Sequence, residues 1–381
     1  MSETSSSESM SIDSLVSWEE TLVAFAFDID GILIHSRKPL PGASETIQML
    51  LKCKVPFVFL TNGGGYTESD HVALLSQRLG IPGQLHERQF IQSHSPFSEL
   101  VPQFAEKNIL VLGGVGNTVR NLAEAYGFKR VITSADIVKT FGRAVHSFSD
   151  MELEQHSKYG QEIKQRLPDK SRSVQISAVL VWSSPRHWAL DAQIVIDLLL
   201  SERGICLTKS PKNGIRYMSN NGYLQDGQPK LYFCDMDPTW ANACTAPRHT
   251  QITFRNRVEG VWRQQTHGAD LNSAITTYGK PTEATYTYAE RVLQDWHREI
   301  NGGEAHAITT TYMVGDNPDC DVLGANSFES HNGITWKSIL VETGVHVKGS
   351  EPAYDPDHIV PGVKEAVKLA FEIEGYPVQL D

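Results

Sequence analysis

The sequence predicts an α/β protein, a parallel sheet covered by helices and split by a long insertion that has an α/β fold of its own. Three observations predict it. Strand-like and helix-like stretches alternate from Val23 to about Leu100 and resume from about Thr276, the pattern of βα units. The stretch between them carries its own strands and helices. Several strands also end in acids, hydroxyls or glycines, as strands do at the carboxyl edge of an open parallel sheet, where ligands bind.

The elements follow in order. An apolar run over 23–28 reads as a buried strand. A helix near 42–53 puts Ala43, Ile47, Leu50 and Leu51 on one face. A second strand at 55–60 leads to a helix near 67–79. In the insertion the best strands are 108–112, 176–182 and 231–234, with a helix near 190–201 carrying Ile194, Leu198 and Leu199. Residues 149–172 are polar and read as a solvated helix plus loop. After the insertion come a helix near 282–299, strands at 310–314 and 339–341, and an amphipathic helix near 362–374. The expected division is a disordered tail at 1–20, a core in two parts at 21–100 and 276–381, and an inserted domain at 101–275.

Four segments carry chemistry. The first strand runs into Asp28-Ile29-Asp30-Gly31. Acids at i and i+2 share one side of the pleat, so one can serve as nucleophile and the other as general acid or base, with a hard cation between them. The second strand runs into Thr61-Asn62-Gly63-Gly64-Gly65, whose open backbone N–H groups suit an anion. Lys280 lies between a strand and a Pro-started helix in Gly279-Lys280-Pro281-Thr282, well placed as a point charge for phosphate. The fourth segment, Gly315-Asp316-Asn317-Pro318-Asp319-Cys320-Asp321, again ends a strand in carboxylates, oxygen ligands that suit Mg²⁺.

In this order the four segments resemble the motifs of the haloacid dehalogenase (HAD) superfamily of phosphatases. The long gap between Thr61 and Lys280 resembles the cap insertion of the NagD and para-nitrophenyl-phosphatase subclass. Within it the chain is similar to the branch named after the cat-eye-syndrome critical region protein, on Gln92-Ser93-His94-Ser95-Pro96-Phe97 as well as the four motifs. The resemblance implies a Rossmann-like core, an inserted α/β cap and a Mg²⁺-dependent phosphatase acting on a small phosphorylated metabolite. It implies that Asp28 attacks phosphorus and that Asp30 protonates the leaving oxygen. Mg²⁺ would be held by the Asp28 carboxylate, the Asp30 backbone carbonyl and the Asp316 carboxylate. Thr61, Asn62, the Gly63 backbone and Lys280 would bind the phosphoryl oxygens, with Asn317 and Asp321 behind them.

The cap segment 235–251 would choose the substrate, through Asp237, Arg248 and His249. The chain departs from its relatives at His249 and Gln251, where they carry glycines, and at Pro185-Arg186-His187-Trp188. A specialised biosynthetic phosphate, such as an isoprenoid phosphate, is therefore an alternative substrate. A binding or scaffold protein with little turnover is the alternative from another class. His35, His94, His267 and His331 lack metal-ligand spacing and read as structural or surface residues.

Composition bounds the rest. The 381 residues are too many for one compact core. A net charge of −11 argues against nucleic acid and anionic membrane as partners. Five scattered cysteines without a C-x-x-C fit neither a disulfide framework nor a zinc site. Residues 1–20 hold no Lys or Arg, so the expected compartment is cytoplasmic, with mitochondria as the alternative. The oligomeric state is left open, a homodimer among the options.

Overall fold

The computed structural model of the chain describes residues 23–164, 174–237, 239–240, 248–302, 307–346 and 348–376. The N-terminal tail and residues 165–173, with them the end of the expected polar stretch 149–172, lie outside the described residues. In chain order the longer strands are β1 (Val23–Phe27), β2 (Phe57–Leu60), β3 (Ile109–Leu112), β4 (Val131–Thr133), β5 (Ala178–Val181), β6 (Lys230–Phe233), β7 (Ile275–Thr277), β8 (Thr310–Gly315), β9 (Thr335–Val341) and β10 (His358–Val360). The longer helices are α1 (Ala43–Lys52), α2 (Glu68–Arg78), α3 (Thr118–Tyr126), α4 (Ser134–Phe141), α5 (Asp150–Ser157), α6 (Trp188–Leu200), α7 (Gln251–Gln265), α8 (Glu283–Asn301) and α9 (Val363–Ile373). They fall into two compact units. The first holds the chain up to Phe59, Leu75–Gln89 and Ala289 onward; the second holds Leu60–Leu74 and Phe90–Tyr288.

In the first unit the strands run β10-β9-β8-β1-β2, every pair parallel. All five residues of β1 are buried, which is why it reads as a continuous apolar run rather than an alternating one. Phe25 stacks on Phe27 and Tyr312 and meets Phe371 of α9 edge-on. Helix α1 buries Ala43, Thr46, Ile47 and Leu50, the i, i+3, i+4, i+7 stripe of a one-faced helix. The chain leaves β1 for β2 on one side and returns as β8 on the other. The strand order therefore reverses at β1, the kind of switch point at which open parallel sheets bind ligands, at the strands' carboxyl ends.

The second unit holds another parallel sheet, ordered β7-β6-β5-β3-β4. Trp182, fully buried, is a hub on one face and meets His94, Phe97, Tyr126 and Phe128 ring to ring. On the other face α6 and α7 pack into a cluster that includes Leu198, Phe254, Val258 and Trp262. A buried ion pair ties α3 to α4: Arg120 donates to both oxygens of Asp136, while Asp136 also closes a capping box with Thr133.

The α/β class and parallel sheets agree with the sequence expectation. Helices α3, α4 and α7 lie beyond it. Two of them left readable signals: the Thr133…Asp136 capping box before α4, and the i, i+4, i+8 stripe Phe254, Val258, Trp262 in α7. The strand before Lys280 joins the second sheet, with Ile275 opposite Leu231. Helix α5 begins at a Ser149–Glu152 capping box and buries none of its residues, as a solvated helix should.

Candidate active site

Strands β1 and β8 are adjacent and in register, Phe27 opposite Val314. Asp28 and Asp316, the first residues beyond each strand, are thereby delivered to the same edge of the sheet. The Asp28 amide still donates to the Val314 carbonyl at 2.9 Å. Asp28 is half-buried, Asp316 and Asp321 are buried, and one carboxylate oxygen from each lies within 4.8 Å of the others.

The expected metal ligands were the Asp28 carboxylate, the Asp30 backbone carbonyl and the Asp316 carboxylate, with Asp321 behind them. Asp321 stands close to the Asp28 and Asp316 carboxylates, and the Asp30 residue is exposed. The cause is local. After Pro318 the chain makes a tight π-helical turn that carries Asp321 back, so that its Oδ2 accepts from the Asp316 and Asn317 amides at 3.2 and 3.1 Å. Asn317 caps this turn, its side-chain oxygen accepting from the Asp319 amide.

Two glycines leave room for Asp316. Gly31 has φ of 84°, and a Cβ on it would fall 2.4 Å from Asp316 Oδ2. A Cβ on Gly344 would fall 1.8 Å from the same atom. The Val345 amide donates to Asp316 Oδ2 at 2.6 Å, and the Thr343 hydroxyl donates to the Gly31 carbonyl. Sequence reasoning missed this loop after β9. Its signal was another strand ending in a hydroxyl and a glycine, Thr343-Gly344. Three close carboxylates with a backbone cradle form a hard-oxygen donor set that fits a divalent cation such as Mg²⁺.

The glycine segment and the lysine lie in the second unit. Thr61 is buried; its amide donates to the Ile91 carbonyl at 3.0 Å. The Gly63 amide, expected as a phosphoryl donor, donates to Thr61 Oγ1 at 3.0 Å. Asn62 accepts from the Lys280 amide at 2.7 Å and donates to the Lys280 carbonyl at 3.0 Å and to Asp237 Oδ2 at 3.1 Å. Lys280 is 1% exposed.

His94 is buried beneath the glycines. Its Nε2 accepts from the Gly65 amide, so Nδ1 carries the proton toward the Tyr126 hydroxyl, which in turn donates to Glu68. Burial lowers its pKa to about 3, with His71 adding to the effect, and keeps the ring neutral. His35, His267 and His331 are exposed. Cys320, between the acids, is buried.

In the expected specificity segment, Asp237 is partly buried and donates its amide to Asp235 Oδ1 at 2.9 Å. Burial raises the Asp235 pKa to about 7, and the neighbouring Asp237 charge adds to the effect. Arg248 and His249 form an exposed two-residue strand paired with Thr239–Trp240.

Comparison with known proteins bears on this arrangement. Residues 25–129 match the family model for haloacid dehalogenase-like hydrolases, and residues 277–366 match a HAD-hydrolase-like model. The chain is 36% identical over 350 residues to a cardiolipin synthase (CMP-forming) / mitochondrial hydrolase fusion protein of Schizosaccharomyces pombe. That match covers 92% of this chain and 53% of the fusion, so the chain spans about half of that relative's length. It is 34% identical over 369 residues to a mitochondrial hydrolase of Saccharomyces cerevisiae, covering 92% of this chain and 96% of that one. Among solved structures, the 4-nitrophenylphosphatase of Thermotoga maritima is similar in fold, with a TM-score of 0.55 at 16% identity over 93% of this chain and 98% of that chain.

Proposed function

Because the chain belongs to the haloacid dehalogenase-like hydrolase family, we propose that it is a divalent-metal-dependent phosphatase of small phosphomonoesters, working through an aspartyl-phosphate. The observation that carries this reading is the carboxylate trio of Asp28, Asp316 and Asp321 where the strand order reverses.

Asp28 is the nucleophile. It follows directly on β1, held by the hydrogen bond that its backbone N–H donates to the Val314 carbonyl, and a carboxylate nucleophile splits one hard displacement into two easier ones. Asp30, exposed and two residues on, protonates the leaving oxygen and then takes a proton from the attacking water. Asp28 and Asp316, with the Asp30 backbone carbonyl, would hold Mg²⁺, which when bound offsets the repulsion between an anionic nucleophile and an anionic ester. Asp321 fixes the Asp316 backbone and adds negative charge beside it. The Thr61 hydroxyl and the Lys280 ammonium are the groups for the phosphoryl oxygens, where positioning and charge stabilisation dominate. In this reading the inserted α/β unit selects the substrate, through Asp237, Arg248 and His249.

A second reading concerns the substrate. One relative is named as a fusion with a CMP-forming cardiolipin synthase, which favours a phosphomonoester of phospholipid synthesis, CMP included. The mitochondrial names of both fungal relatives favour mitochondria over the cytosol; cell fractionation tests this.

The deciding experiment is a screen of phosphomonoesters, CMP and glycerol phosphates among them, for phosphate release with and without Mg²⁺. Release that stops in chelator and returns with Mg²⁺ is expected. Full release in excess chelator would overturn the metal assignment, and no release from any ester would favour a binding protein.

A further inference from the structure

We infer that Asn62 is a positioning residue for Lys280, not a ligand of the phosphoryl group, and that it couples the lysine to the Asp237 segment. The inference rests on the reading of this centre as one for phosphoryl transfer.

Hydrogen-bond accounting carries it. An asparagine side chain has two N–H donors and one carbonyl acceptor. One donor of Asn62 goes to the Lys280 carbonyl and the other to Asp237 Oδ2; the carbonyl takes the Lys280 amide. Both donors are engaged. A phosphoryl oxygen is itself an acceptor, and the capacity left on Asn62 is a lone pair, which repels it. The reversed amide is excluded by the same partners, since it would aim the Asn62 oxygen at the Asp237 carboxylate and an N–H at the Lys280 amide.

The bonds grip the backbone of one residue on both sides. A residue held through its N–H and its C=O has both flanking peptide groups fixed, so the stem of the side chain starts from a fixed point. The preceding residue is fixed too. Gly279 donates to Thr285 Oγ1 at 2.7 Å, and a Cβ on it would fall 2.4 Å from the Cys234 carbonyl and 3.3 Å from Asn62 Oδ1. Asp237 is itself anchored, by its amide to Asp235 and by its carbonyl, which accepts from Thr250. A shift of the 235–237 segment therefore reaches Lys280 through a single amide.

The test is a double-mutant cycle of Asn62→Ala with Lys280→Ala, read as kcat on para-nitrophenyl phosphate and as inhibition by inorganic phosphate. Asn62→Ala alone should lose about tenfold to a hundredfold in one or both. The double variant should match Lys280→Ala within about twofold, because a positioning residue has nothing left to position. Multiplying losses would overturn the inference, since they would show an independent contact with phosphate. Asn62→Asp preserves size and loses both donors; it should behave as Asn62→Ala if the alanine variant folds poorly. A crystal structure of either Asn62 variant judges the clamp without any turnover. A displaced Lys280 backbone supports it and an unmoved one refutes it, even if the wild type hydrolysed no phosphate ester and the functional reading failed.

Discussion

Gly344 can only be glycine because Asp316 occupies the place its side chain would take: an added Cβ would lie 1.8 Å from Oδ2. The relation is tight because the Val345 amide holds that same oxygen at 2.6 Å. Gly344→Ala must displace either the loop or the carboxylate. The expected result is a rise of about tenfold to a hundredfold in the Mg²⁺ concentration needed for half-maximal activity, seen by Mg²⁺ titration. An unchanged requirement would detach Asp316 from the metal.

Asp28→Asn keeps the shape of the side chain and removes the nucleophile. Activity should fall by about a thousandfold or more, with circular dichroism and melting temperature near those of the wild type. Rapid acid quench with phosphorus-labelled ester should label wild-type Asp28 and leave the variant unlabelled. Near-normal turnover by the variant would rule out the covalent route.

Asp235 gives the fold a pH dependence with a definite sign. Its folded pKa, about 7, lies above the ordinary value of 3.8. Below about pH 4 both folded and unfolded forms are protonated and it contributes nothing. Between about pH 4 and 7 the unfolded carboxyl ionises first, so stability is lost as pH rises, and the loss is complete above 7. Asp235→Asn can still accept from the Asp237 amide but cannot ionise. Its gain over wild type should be near zero at pH 4 and about 1–3 kcal/mol at pH 8, measured by urea unfolding at both values. Equal effects at the two pH values would show that Asp235 titrates normally.

Arg120 and Asp136 are a buried pair at 2.6 Å, with side-chain exposures of 6% and 2%. Arg120→Met leaves the Asp136 carboxylate buried without its countercharge, at a cost of about 3–5 kcal/mol. Denaturant unfolding should show it, and adding Asp136→Asn should recover part of the loss. A cost below about 1 kcal/mol would mean the pair is hydrated in solution.

Much of this was legible in the sequence because it rests on local pattern. The buried run before Asp28, the glycines after Thr61 and the acids after Gly315 each carry their signal within about ten residues. The engagement of Gly63 and Asn62 was not legible, because it depends on where hydrogen bonds end. The Asn62 amide meets a lysine 218 residues away, and no periodicity encodes that. The bonds from Asp321 to the Asp316 and Asn317 amides were not legible either, because the turn after Pro318 is π-helical, which composition does not announce. The loop at Gly344 was passed over because its glycine answers to an acid on another strand. Helix α7 was passed over because its polar residues outweigh a narrow apolar stripe.

The register of β1 has a consequence for how the protein is made. Val23 pairs with Thr310 and Phe27 with Val314, so the central strand of the first sheet leaves the ribosome long before its β8 neighbour exists. At ordinary translation rates the interval is on the order of tens of seconds. Throughout it one edge of Val-Ala-Phe-Ala-Phe has no neighbour to pair with, and an unprotected apolar edge invites other chains. The second sheet is complete once Thr277 has emerged, so the guest can fold while its host waits. The yield of the protein in a foreign host should therefore depend more on translation speed and temperature than on the stability of the finished protein.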